Sequence, residues 1–199
     1  MKKLTLTLAI LIFGTKGFAQ CPKWGNTPKT VGTPGEKHKH ALNLKKNRTT
    51  KPTTEKIDPN VTVVGMLASK DKLDAFDESK AATVTGYMFD AAAEGPESCN
   101  CESDKAENHD IHVFIAPHEN TTSKADCIVI EVTPWVKQNH PDWTLTYLHS
   151  IKGKKVTITG WLLYDWEHTG VSKASGAEMS DAKRGTVWEL HPFTAMVVH

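Results

Sequence analysis

Residues Lys155–Tyr164 read KVTITGWLLY. Val156, Ile158, Gly160 and Leu162 fall on one face of an extended chain and Thr157, Thr159, Trp161 and Leu163 on the other. That period of two marks a strand lying half buried against a core. A glycine midway along such a strand marks a sharp bend or the close approach of another backbone. Further upstream, Val84, Gly86 and Met88 alternate with Thr83, Thr85 and Tyr87. Two long strands with central glycines are the devices that let a small sheet curl until it closes.

Three more strands follow from the same period. Ile111, Val113 and Ile115 alternate with Asp110, His112 and Phe114, residues 127–132 are a β-branched run, and residues 186–198 form a last strand. Residues 143–151 are the helical candidate, started by Pro141 and Asp142 and closed by Gly153. Five strands with a short helix between the third and fourth is the order of an OB-like Greek-key barrel. An immunoglobulin-type sandwich would need about seven strands and a buried tryptophan between paired cysteines. The expected fold is therefore mainly β: a small five-stranded OB-like barrel over residues 61–199, a length suited to one core.

The chain begins with Lys2 and Lys3, an apolar run over residues 4–13, and small residues at Gly17 and Ala19. These are the parts of a cleavable secretory signal over residues 1–19. The apolar run is too short for a spanning helix, which needs ~20 residues. Cys21 follows at once, but Gln20 is not the small residue that lipid attachment favours, so release is expected over lipoprotein anchoring. The expected location is periplasmic or secreted, with no transmembrane segment. Residues 20–60 are rich in Lys, Thr, Pro and Gly, the composition of a flexible basic linker and a disordered arm. Residues 21–60 carry nine Lys and Arg against three Asp and Glu, whereas residues 61–199 carry twelve against twenty. The arm is thus near +6 and the domain near −8, with His taken as neutral.

An exported chain meets an oxidising compartment, so Cys21, Cys99, Cys101 and Cys127 are disulfide candidates first. A bond between Cys99 and Cys101 is strained by their closeness, which directs either of them to Cys127. Their one-residue spacing is shorter than zinc sites normally use between paired cysteines.

The blocks ESCNC (residues 97–101), HDIH (109–112), VIEVTP (129–134), VTITGWLLYD (156–165) with His168 after it, and WELHP (188–192) resemble those of a family of uncharacterised exported bacterial proteins with OB-like domains. The likeness spans residues 61–199. It implies a fold and a compartment and carries no catalytic residue with it.

Acids and imidazoles recur together near strand ends: Asp110 with His112, Asp165 with His168, Glu189 with His191. Residues two apart on a strand share a face, so convergence of the second, fourth and fifth strands would gather a set suited to a divalent metal such as zinc. Such pairs also serve as plain hydrogen-bonded braces. No HExxH, GxSxG or GxxxxGK pattern is present, which removes the common hydrolase and nucleotide templates. Tyr87, Phe89 and Trp161 point away from the inferred core and form a candidate stacking platform for rings, or an inner layer under the loops. Nucleic acid is disfavoured as a ligand. Its binding rests on cations that neutralise phosphates, and residues 61–199 have one arginine, Arg184, within an acidic excess. The expectation is an exported binding or interaction module for a small molecule, glycan or protein, with a metal-dependent hydrolase built on the His/Asp/Glu set as the alternative.

Overall fold

The structure is a computed structural model and describes residues 21–28, 30, 32–167 and 183–199 of the chain. Residues 1–19, expected to be a secretory signal, and His168 lie outside these residues. Five strands form a closed barrel: β1 (Ala81–Ala93), β2 (Ile111–Ala116), β3 (Ile128–Val132), β4 (Lys155–Tyr164) and β5 (Trp188–Val198). Their order around the barrel is β1-β2-β3-β5-β4, with β4 returning to β1. All pairings are antiparallel except β3 with β5, where Val129 lies opposite Glu189 and Ile130 opposite Leu190. This is the OB-like arrangement expected from the strand order.

The alternation read in the sequence sets which residues turn inward. Val84, Met88, Val113, Ile115, Ile128, Ile130, Val156, Ile158, Leu162, Leu190 and Phe193 form one buried cluster. Gly86 and Gly160 stand where the barrel wall is tightest. A Cβ on Gly86 would lie 2.6 Å from the Ala116 carbonyl oxygen, and one on Gly160 would lie 2.8 Å from the Phe193 Cα. Outside, paired threonine hydroxyls join β1 to β4, Thr83 to Thr159 at 2.8 Å and Thr85 to Thr157 at 2.9 Å. Each such pair contributes roughly 0.2–1 kcal/mol.

Helix α1 (Pro34–Lys46) precedes the barrel, and α2 (Val63–Ser69) packs Val63 and Met66 onto its core. The connection from β3 to β4 holds two short helices, α3 (Pro134–Lys137) and α4 (Leu145–Ser150). The sequence pointed to one helix there, starting at about residue 143. In the fold Trp143 precedes the helix, stacked on Phe193 with centroids 4.6 Å apart, and the Thr144 side chain caps α4 by accepting from the Tyr147 amide. The last strand starts at Trp188, two residues later than expected, because the Thr186 hydroxyl accepts the Trp188 amide and itself donates to the Lys70 carbonyl.

The largest departure concerns residues 20–60. From Cys21 onward most of this stretch has defined structure packed on the barrel. Thr33 and Glu36 form a reciprocal cap at the start of α1, with Pro34 in the first turn. Order here does not come from apolar burial, the quantity that the linker composition measures. It comes from polar anchoring: Asn43 donates to the Trp24 carbonyl, Asn47 to the carbonyls of Lys23 and Cys99, and Arg48 to those of Leu162 and His191. A disulfide between Cys21 and Cys101 staples the segment down.

That disulfide also corrects the expected pairing. Cys127 is bonded to neither Cys99 nor Cys101; Cys99 and Cys127 are buried free thiols. Cys127 immediately precedes β3 and packs against Phe114 and Val129, its thiol toward the Ser123 carbonyl, while Cys101 closes a 3-10 turn with a positive φ of 58° beside the N-terminal segment.

Candidate functional site

Where β2, β3 and the start of β5 lie side by side, their outward polar side chains are not in water. The N-terminal segment and the loop from β1 to β2 roof them over, and beneath lies a polar cluster. Asp110 precedes β2 and His112 is on it, both on the outer face. Across the ladder His112 faces Glu131 on β3, and the β3–β5 register carries on to set Glu131 beside His191. Asp110, Glu131, Asp165, Glu189 and His191 are each 0 % exposed.

The contacts form a connected set. Glu131 lies between two imidazoles, 2.7 Å from His112 Nε2 and 3.4 Å from His191 Nδ1. The other nitrogen of His112 meets Glu94 at 2.7 Å. His191 Nδ1 is hydrogen-bonded to Glu189 at 3.0 Å, and its Nε2 faces Asp110 at 3.5 Å. Asn100 donates to the remaining Asp110 oxygen at 3.0 Å. Arg184 donates to Asp165 at 3.1 Å and to Glu189 at 2.8 Å. From the roof, Lys46 reaches Glu97 at 3.2 Å and Glu167 at 3.3 Å, and the Cys99 thiol donates to Glu97 at 3.0 Å.

Burial and charge set the protonation of these groups. Burial alone would lower His112, but Glu131 and Glu94 outweigh it and raise the imidazole to about 10. His191 is raised in the same way, against its burial, by Glu131 and Glu189. Burial would raise Glu131, yet the two imidazoles hold it well below the ordinary carboxylate range. For Asp110 the help from His191 and Asn100 is outweighed: burial, then Glu131 and Glu97, push it up to about 8. Burial, followed by the Asp110 charge, keeps the Cys99 thiol well above its ordinary value, so it is not a ready nucleophile.

Of the six residues expected to converge on a metal, Asp110 and His191 meet directly. His112 joins them through Glu131. Glu189 bonds His191 through one oxygen and Arg184 through the other, Asp165 joins through Arg184, and His168 lies outside the described residues. Glu131, Glu97, Lys46 and Arg184 were not foreseen. Glu131 alone left a trace, as an acid in the middle of an otherwise apolar strand run, IVIEV.

The aromatic residues separate. Tyr87 and Phe89 are half-buried on the outer face, packed on Phe114, Ala116 and Val129. With Met88, Ala116, His118, Glu119, Lys152 and Gly153 they line an open concavity of about 320 Å³. Trp161 is not part of it. Tyr87 pairs with Lys155 and Trp161 with Ala81, six positions along β1, or roughly 20 Å. Trp161 lies under the Arg48 guanidinium, 4.7 Å from the ring centroid, and donates to the Thr50 carbonyl. It anchors the roof.

Comparison of the chain with protein-family models and with curated proteins finds no match. Among the described residues no helix is long and apolar enough to cross a membrane.

Proposed function

We propose that the protein is an exported, non-enzymatic binding module of an OB-like family, acting in the periplasm or outside the cell. Its ligand is a small ring-bearing molecule, such as a sugar unit of a glycan, taken at the Tyr87–Phe89 concavity. The observation that carries this reading is the separation of the two outer faces. The titratable cluster is sealed, with Asp110 and His191 at 0 % exposure, whereas the aromatic pair stands open beside a polar rim. A stacking surface with a few polar groups around it is the ordinary form of a small-ligand site. The hydrolase alternative would require water and substrate to reach groups that the roof covers. Phosphate polymers are disfavoured again, since Arg184 is 2 % exposed and held between two carboxylates.

A thermal-shift screen of sugars and small aromatic metabolites against the mature protein tests the proposal. A hit is expected to be lost in Tyr87→Ala and Phe89→Ala, both expected to keep the fold because these side chains lie outside the main core and stay partly in water. Turnover of an ester or phosphodiester substrate, or a hit indifferent to both substitutions, would overturn it.

A further inference from the structure

We propose that Asp110, Glu131 and His191 hold a divalent transition-metal cation, zinc by preference, as a closed structural centre beneath the roof. This goes beyond the binding reading and does not depend on it. One ligand atom from each of these residues lies within 4.8 Å of those of the other two. All three side chains are fully buried, yet Asp110 Oδ2, Glu131 Oε2 and His191 Nε2 make no hydrogen bond among the described residues; Asp110 Oδ2 stands 3.5 Å from His191 Nε2 and Glu131 Oε2 3.4 Å from His191 Nδ1. Buried polar atoms left in that state cost about 1–3 kcal/mol each. Three of them in one cluster point to something that satisfies all three together.

The opposite end of each side chain is already engaged. His191 Nδ1 bonds to Glu189, Asp110 Oδ1 accepts from Asn100, and Glu131 Oε1 contacts His112. A carboxylate on the far nitrogen of a histidine fixes the tautomer and turns the other nitrogen's lone pair outward, the usual outer support of a metal-bound imidazole. Arg184 in turn holds Glu189. An imidazole in the set favours zinc over magnesium or calcium, which prefer all-oxygen shells and water. The overlapping group of Glu97, Cys99 and Asp110 puts a thiol at the next corner of the cluster. Complete burial makes the centre a structural one, since catalytic zinc keeps an open position.

The test is elemental analysis of the mature protein, purified without a metal-affinity step from zinc-supplemented medium, followed by chelation and back-titration with zinc. About one ion per chain is expected, with a fall in thermal midpoint on chelation and its recovery on titration. Glu189→Gln, which keeps the side chain's shape but takes the carboxylate from His191 Nδ1 and from Arg184, is expected to weaken zinc affinity by ~10–100-fold. Should that variant fail to fold, the wild-type His191 imidazole nitrogen resonances still decide, because zinc must shift Nε2 and leave Nδ1 protonated. Protein free of metal, with a midpoint and imidazole spectrum unmoved by zinc, would overturn the proposal.

Discussion

Two patches of the same barrel's outer surface met opposite fates. On and beside β2, β3 and β5 the outward polar residues include Asp110, His112, Glu131, Glu189 and His191, and the chain covers them. On β1 they include Tyr87 and Phe89, which stay partly in water. Alternation along a strand says which side chains leave the core; it does not say what lies above them. Polar residues became interior and aromatic ones remained near solvent, the reverse of what transfer energies alone prescribe. A charged interior layer is tolerable only where every partner is in place, so its stability is all-or-none in a way that the open patch is not.

Removing one partner is the harshest way to break this contrast. Arg184→Met leaves Asp165 and Glu189 buried without their cation, and the loss expected in urea denaturation is about 3–5 kcal/mol. A loss below ~1 kcal/mol, the range of solvent-screened pairs, would mean that water reaches the cluster and the roof is not closed. Next in size is the staple. Cys21 and Cys101 are 80 residues apart, and opening so long a loop by the double change to serine is expected to cost about 2–4 kcal/mol. Amide exchange should then quicken at His112 and Glu131 and stay unaltered at Tyr87 and Phe89. Equal quickening on both patches would show that the disulfide supports the whole barrel rather than its cover.

How much of this was legible follows from the same contrast. The five strands and the two bending glycines could be read from local period alone, because a residue's inward or outward direction is settled by its immediate neighbours. Asp110 and His191 could be named as members of one candidate set because each sat near a strand end beside another titratable residue, Asp110 with His112 and His191 with Glu189. Lys46 could not. It lies in a lysine-rich run that looks like solvated spacer, and its burial depends on Glu97, 51 residues away. Cys21 was hidden likewise: elimination among three nearby cysteines favoured Cys127, while the true partner for Cys101 came from a segment dismissed as linker. Polar anchoring to distant backbone leaves no periodic trace.

The smallest effect sharpens the comparison from the open side. Asp90, next to Phe89, pairs with Lys152 at 2.8 Å and Lys124 at 3.1 Å. Its slight burial would raise its pKa, but these lysines outweigh that and hold it down at about 2, against an ordinary 3.8. Depression means that the folded state favours the ionised form. The contribution is therefore fully present above pH 3.8 and is lost as pH falls through about 2. Since Lys152 is about half exposed, water and salt screen the pair to about 0.5 kcal/mol. Asp90→Asn should remove that small acid-dependent component, and 1 M salt should nearly erase the difference from wild type. The Arg184→Met loss should persist in the same salt, because ions cannot enter between Arg184 and its carboxylates. If high salt narrowed both differences alike, the cluster under the roof would be as solvated as the surface, and the distinction between the two faces would fall.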